Sequence, residues 1–109
     1  MNSEQEKQDA VNQLFDTLLN VNLTFKCLNL TLGIEILKTH LPKDFENDNL
    51  ENINQTLLKI VEGKITPIIA KKEFLQLRSD VETFPCDEKF KPDVITCVES
   101  ILDFIKSNQ

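Results

Sequence analysis

The stretch that decides the fold is residues 21–41, which read VNLTFKCLNLTLGIEILKTHL. Between positions 21 and 36 its apolar residues alternate with polar ones, as in a half-buried strand. The same residues also return every three or four positions, as in a helix. The two helical rows are Leu23, Cys27, Leu30, Ile34, Leu37 and Leu41, and Phe25, Leu28, Leu32 and Ile36. Because roughly 20 residues without a turn signal are long for a strand, the pattern favours one helix, apolar on two sides and therefore central, that ends before Pro42. A strand pair over residues 21–36 is the alternative.

A separate amphipathic helix is predicted before this stretch. Ser3 and Glu6 form a capping-box pattern at its start. Apolar residues at helical spacing follow, and polar residues occupy the other side. These apolar residues are Val11, Leu14, Phe15, Leu18 and Leu19. We expect this helix to assemble with the others around the central one.

Three further helices are predicted after Pro42. Asp48 and Glu51 mark the start of the first, and Gly63 ends it in a left-handed conformation. The second begins at Thr66–Pro67, and the third is capped by Asp93. Their inward rows are Leu50, Ile53, Leu57, Ile60 and Val61; then Ala70, Phe74, Leu77 and Val81; then Val94, Cys97, Val98, Ile101, Leu102 and Ile105. Residues 1–109 are thus predicted to form a single all-α domain, a bundle of about five helices with short connectors.

The charge balance points to a protein partner. The chain has 109 residues, with 12 Lys and Arg against 18 Asp and Glu, and a net charge of −6. Nucleic-acid binding relies on clustered basic residues, so this balance argues against it and favours basic protein surfaces.

The polar, acidic N-terminus lacks a secretory signal, and no run of apolar residues is long enough for a membrane span. Three cysteines without a CxxC pair suit a reducing cytoplasm.

The residue types needed for catalysis are scarce. His40 is the only histidine, and it falls at a predicted helix end, where a cation is favourable. A structural zinc site needs four Cys or His ligands. The chain has only four such residues, and two of them, Cys27 and Cys97, are expected in the core. The two glycines, Gly33 and Gly63, are too far apart for a phosphate-binding loop. Acidic neighbours should make Cys86 a weak nucleophile. We therefore expect no catalytic residues, no metal and no cofactor.

Carboxylates remain as the candidate binding groups. They cluster at residues 44–51, at residues 80–88 and on the last helix. An acidic surface raises the rate of association with a basic partner, and aromatic residues beside it can serve as anchors. The candidate partner contacts are Phe84, Asp87, Glu88, Phe90, Glu99 and Asp103.

A short, acidic, all-helical chain without catalytic residues resembles the bacterial immunity proteins that neutralise bacteriocins or contact-delivered toxins. Residues 35–45 (EILKTHLPKDF) and 57–65 (LLKIVEGKI) are similar to segments of the YjaG-like helical family of uncharacterised bacterial proteins, which implies the fold only. We expect a non-enzymatic immunity or inhibitor protein that covers a basic toxin or enzyme. The alternative is a self-associating structural or adaptor module, a homodimer that uses part of residues 23–41 as its interface.

Overall fold

The structure, a computed structural model, describes the backbone of residues 3–108 and the side chains of residues 4–14 and 20–108. Over this range the chain forms four α-helices, α1 (Ser3–Lys38), α2 (Asp48–Val61), α3 (Lys71–Glu82) and α4 (Pro92–Ser107). Short 3-10 turns at Pro67–Ala70 and Glu88–Phe90 precede α3 and α4. No strand occurs among the described residues. The predicted all-α bundle is confirmed, and the strand alternative for residues 21–36 is wrong because these residues lie within α1.

The first two predicted helices form one continuous helix. α1 is 36 residues long, which corresponds to about 54 Å. Residues 19–23 contain neither glycine nor proline, so nothing in the local sequence stops the helix between the two predicted segments. The continuity of α1 makes the molecule elongated, with dimensions of 65 × 24 × 21 Å.

Only the C-terminal half of α1 belongs to the bundle. There α1 packs against α2 and α4, and α3 completes the bundle against the same two helices. α4 has 16 residues and is therefore about 24 Å long. Residues 4–14 and 20–22 of α1 are exposed, and this N-terminal half extends beyond the bundle. We call residues 3–22 the arm.

The core is one cluster of apolar side chains from all four helices. Its α1 members confirm the first predicted row of residues 21–41, since Cys27, Leu30, Ile34 and Leu37 are at most 1% exposed. The predicted inward rows of the later helices are also largely confirmed. Those core residues are Leu50, Ile53, Leu57, Ile60, Ala70, Phe74, Leu77, Val81, Val94, Val98, Ile101 and Ile105. Cys97 and Leu102 pack partly buried against them, whereas Val61 is exposed.

The second predicted row of residues 21–41 is not buried. Phe25, Leu28, Leu32 and Ile36 are exposed on the side of α1 away from the core. The prediction that this segment is a central rod, buried on two sides, is therefore wrong. The bundle has enough helices to cover one face of α1, and α1 lies at its edge.

The helix ends differ slightly from the predictions. Asn47, rather than Asp48, caps α2, and its side chain accepts a hydrogen bond of 2.9 Å from the Leu50 N–H. α4 begins at Pro92, one residue before the predicted cap Asp93. Gly63 has a φ of +76°, which confirms the left-handed turn after α2. Within residues 3–108 no helix has the length and apolarity needed to cross a membrane.

Candidate functional site

The outward face of α1 carries a row of exposed apolar side chains, taken from residues 4–14 and 20–38 of the described chain. Each of them is between 43% and 63% exposed. We call this row the α1 stripe: Val11, Leu14, Val21, Phe25, Leu28, Leu32 and Ile36. The row runs from the arm into the bundle, so it crosses the position where two separate helices were predicted. Val11 and Leu14, predicted to face the other helices, are instead exposed.

The stripe follows a heptad repeat as far as Leu32, and Ile36 falls at the next e position. Positions 11, 14, 18, 21, 25, 28 and 32 are all apolar and are spaced alternately by three and four residues, which is the a and d pattern of a coiled coil. Leu18 occupies the intervening a position in the sequence. The side chains of Phe15, Leu18 and Leu19, and of the predicted cap Ser3, lie outside the described residues.

The core-facing row of α1 lies on the opposite side of the helix. Cys27, Leu30 and Ile34 fall at the c and f positions of the same heptads, and these positions face away from a and d. Lys26 fastens α1 to the bundle, since its ammonium donates a 2.6 Å hydrogen bond to the Ser100 hydroxyl. The bundle therefore holds the back of α1 and leaves the stripe accessible.

The borders of the stripe are uncharged. The e and g positions from residue 8 to residue 31 hold neither acid nor base. Their described residues are Gln8, Ala10, Asn22, Thr24, Asn29 and Thr31. The nearest charges in the a and d register are Lys7, the position before Val11, and Glu35, the position after Leu32. Between these two residues no acidic or basic side chain falls at an a, d, e or g position.

The two aromatic residues predicted as anchors are both engaged within the fold. Phe84 is only 3% exposed and packs edge-on against Phe45 with ring centroids 5.0 Å apart. Its assignment as a partner contact is wrong, because a partner cannot reach it without opening the core. Phe90 is half-buried and stacks on the exposed ring of His40 at 3.5 Å. This pair holds the turn after α1 against the second 3-10 turn.

Two of the four predicted carboxylate contacts form ion pairs within the chain. Glu88 pairs with Lys91 at 2.9 Å, and Glu99 pairs with Arg78 at 2.8 Å. Asp87 is exposed and accepts a 3.0 Å hydrogen bond from the backbone N–H of Lys89.

Asp103 is also exposed, but it lies far along α4 from the second 3-10 turn. It is eleven residues after Pro92, which corresponds to about 16 Å along the helix axis. The structure therefore does not gather the predicted contacts into one compact surface.

The thiols are poor nucleophiles. Burial raises the pKa of Cys27 from its ordinary value of 9.0 to about 11. Burial also raises the pKa of Cys86; Lys91 opposes this increase, and Glu88 and Asp87 add to it. The pKa of Cys97 is raised by burial as well. The thiolate is the reactive form, so all three cysteines are mainly in the unreactive form near pH 7. The described residues contain no group of three or more His, Cys, Asp or Glu side chains suited to a metal ion.

Two of the surface recesses are open grooves beside the helices of the bundle. One, of about 640 Å³, lies between α2 and α3 and is lined by polar residues that include Thr56, Lys59 and Glu73. Another, of about 430 Å³, lies where the arm leaves the bundle, and Leu23, Ile60 and Phe104 line it. Neither groove contains His40 or a cysteine. In the first groove the Thr56 hydroxyl donates a 2.8 Å hydrogen bond to the Glu73 carboxylate.

No family model, curated protein or solved structure matches this chain. The proposed resemblance to immunity proteins therefore stays a prediction, and the function has to be inferred from the surface itself. The feature that sequence reasoning missed is the extent of the α1 stripe. The signal was present in the printed sequence, as seven consecutive apolar a and d positions between Val11 and Leu32. Dividing this segment into two helices near residue 20 hid the repeat.

Proposed function

We propose that this chain is a non-enzymatic protein-binding module and that the α1 stripe is its binding element. The observation that carries the proposal is the row of seven apolar side chains that remain exposed on α1, among the side chains that the structure describes, beside the buried core.

The cost of exposing this row supports the proposal. Burying the exposed half of an aliphatic or aromatic side chain is worth about 1 kcal/mol. Seven such residues on one face correspond to about 7 kcal/mol, which is comparable with the whole stability of a small domain. Contiguous apolar surfaces of this kind in a folded chain usually mark an interaction site.

The residues around the stripe favour a protein partner over a lipid surface. Helices that lie on membranes usually carry Lys and Arg on their polar face, which attract anionic head groups. α1 has only Lys7, Lys26 and Lys38 as basic residues, against five acidic ones. Threonine, asparagine and alanine border the stripe, and these residues fit a helix-to-helix interface.

The immunity or inhibitor assignment is a second candidate, and it rests on charge. The net charge of −6 and the exposed carboxylates of Asp87 and Asp103 would attract a basic toxin or enzyme. Asp87 lies at the second 3-10 turn and Asp103 lies far along α4, and Glu88 and Glu99 are paired within the chain. This surface is therefore less coherent than the stripe. The three free thiols fit the proposed cytoplasmic location, where disulfides are rare.

Photo-crosslinking in cells that express the chain tests the binding role. A benzoylphenylalanine placed at Phe25 reports on the stripe, and one placed at Leu75 of α3 is the control, since Leu75 is also exposed. We expect discrete protein adducts from position 25 and none from position 75. Adducts from position 75 alone, or no adduct from either position, would contradict the proposal. The mass of the adduct separates a second copy of the chain from another protein.

A further inference from the structure

We infer that the α1 stripe binds a second copy of itself, so that two chains associate through a two-stranded coiled coil of their α1 helices. This pairing rests on the proposed function, because it names the partner of the same stripe. The heptad repeat, the uncharged borders and the position of the bundle on α1 lead to this partner.

The heptad repeat of α1 is longer than a helix needs in order to bind a groove on a globular protein. From Val11 to Leu32 the seven a and d positions cover 21 residue steps, or about 32 Å of helix. A helix that docks into a groove on a globular protein typically uses anchors over i to i+7. A strict spacing of 3.5 residues over three heptads instead matches a second helix with the same repeat, since both helices can supercoil and keep their seams together.

The uncharged borders remove the obstacle to pairing two acidic chains. In coiled coils, charges at e and g select the partner. Here these positions are polar or small and carry no charge between residues 8 and 31. A basic partner would find no carboxylate beside the seam, whereas an identical helix meets no repulsion along it.

The bundle does not block the pairing. It packs on the side of α1 that carries Cys27, Leu30 and Ile34, opposite the stripe. Two α1 helices can therefore lie side by side with each bundle on the outer face. The arm extends beyond the bundle, so the seam runs past the folded domain in both chains.

The exposed apolar area predicts a dimer of modest affinity. Half-exposed side chains of these types offer roughly 50–120 Å² each, so the seven residues of the stripe contribute on the order of 500 Å² per chain before its borders are counted. Standard protein interfaces bury about 800 Å² per partner. The dissociation constant is therefore expected on the order of 10 µM, and the concentration of the chain controls its assembly.

Sedimentation equilibrium of the purified full chain tests the inference, over about 1 µM to about 300 µM and at physiological salt. We expect the weight-average mass to increase from 12.5 kDa to twice that value. Leu28→Glu places a charge in the seam and should raise the dissociation constant at least about 100-fold. Leu75→Glu is the matched control, because Leu28 and Leu75 are 48% and 45% exposed, and it should change the constant by less than about twofold. Circular dichroism of each variant verifies its helix content.

Phe25→Ala provides a second variant that adds no charge, in case Leu28→Glu does not fold. It should weaken association about tenfold. A wild-type chain that stays at 12.5 kDa throughout the concentration range overturns the inference, whether it then binds another protein or vesicles of anionic lipid. A dimer that Leu75→Glu disrupts, but Leu28→Glu and Phe25→Ala leave intact, also overturns it. A monomer that still crosslinks to a different protein from position 25 would leave the broader proposal standing.

Discussion

Two phenylalanines test the structure most directly, because the same substitution should strongly lower the folding stability at one site and hardly change it at the other. Phe84 is 3% exposed and packs edge-on against Phe45, whereas Phe25 is 61% exposed on the stripe. Phe84→Ala removes a buried ring and leaves a cavity in the core, which costs about 3–5 kcal/mol. Phe25→Ala removes a ring that is mostly in water, and alanine has the better helix propensity by about 0.5 kcal/mol. Its folding stability should change by less than about 1 kcal/mol.

The assay is urea unfolding followed by circular dichroism, since the chain has neither Trp nor Tyr for fluorescence. Measurements at about 1 µM keep the chain below the expected dissociation constant, so association does not add to the stability. A loss of about 3–5 kcal/mol is a large part of the 5–15 kcal/mol typical of small domains, and it should shift the midpoint for Phe84→Ala far below that of the parent chain. A loss under about 1 kcal/mol for Phe84→Ala, together with more than about 2 kcal/mol for Phe25→Ala, would refute the assignment of buried and exposed faces.

Two further predictions concern single groups inside the bundle. Lys91 is 4% exposed, and its ammonium donates a 2.9 Å hydrogen bond to the Glu82 carbonyl, so Lys91→Met should lower the free energy of unfolding by about 1–3 kcal/mol. The exposed neighbour Lys89, changed to Met, should cost less than about 1 kcal/mol in the same urea titration; equal effects of the two would argue against the buried amine. Cys27 has its pKa raised from 9.0 to about 11, so its thiol stays protonated in the folded chain after the unfolded chain has lost the proton. The stability from this group should be constant below pH 9 and should fall between pH 9 and about 11. Cys27→Ala, titrated in parallel, should show a smaller fall, because only the raised pKa values of Cys86 and Cys97 remain, and a pH profile identical to that of the parent chain would contradict a buried Cys27 thiol.

The helices after Pro42 could be predicted because each has one apolar face. Leu57, Phe74 and Ile101 stand in rows with polar residues on the other sides, so periodicity alone identifies what is buried. The sequence did not distinguish the N-cap of α2, since Asn47 and Asp48 are adjacent and both side chains can accept a hydrogen bond from the first turn of the helix. In the structure the side chain of Asn47 accepts this hydrogen bond, from the Leu50 N–H.

The prediction of Phe84 as a partner contact is wrong because helical periodicity gives no information about residues in the connectors. Phe84 lies between α3 and α4 in a segment with prolines, and such residues are usually assumed to be exposed. Its burial depends on Phe45, which is 39 positions earlier in the chain. Contacts of this kind arise only when the connectors of two separate helices meet at one end of the bundle.

The amino-acid sequence by itself determined the helical nature of the chain, the inward rows of its later helices and the heptad repeat of α1. These features depend on the spacing of apolar residues within one segment of the chain, and this spacing can be read from the sequence alone. Only the tertiary structure decided which of the two apolar rows of residues 21–41 is buried. Both rows satisfy the same helical period, and three helices can cover only one side of a fourth. The row that packs against α2 and α4 became the core, and the other remained exposed as the α1 stripe.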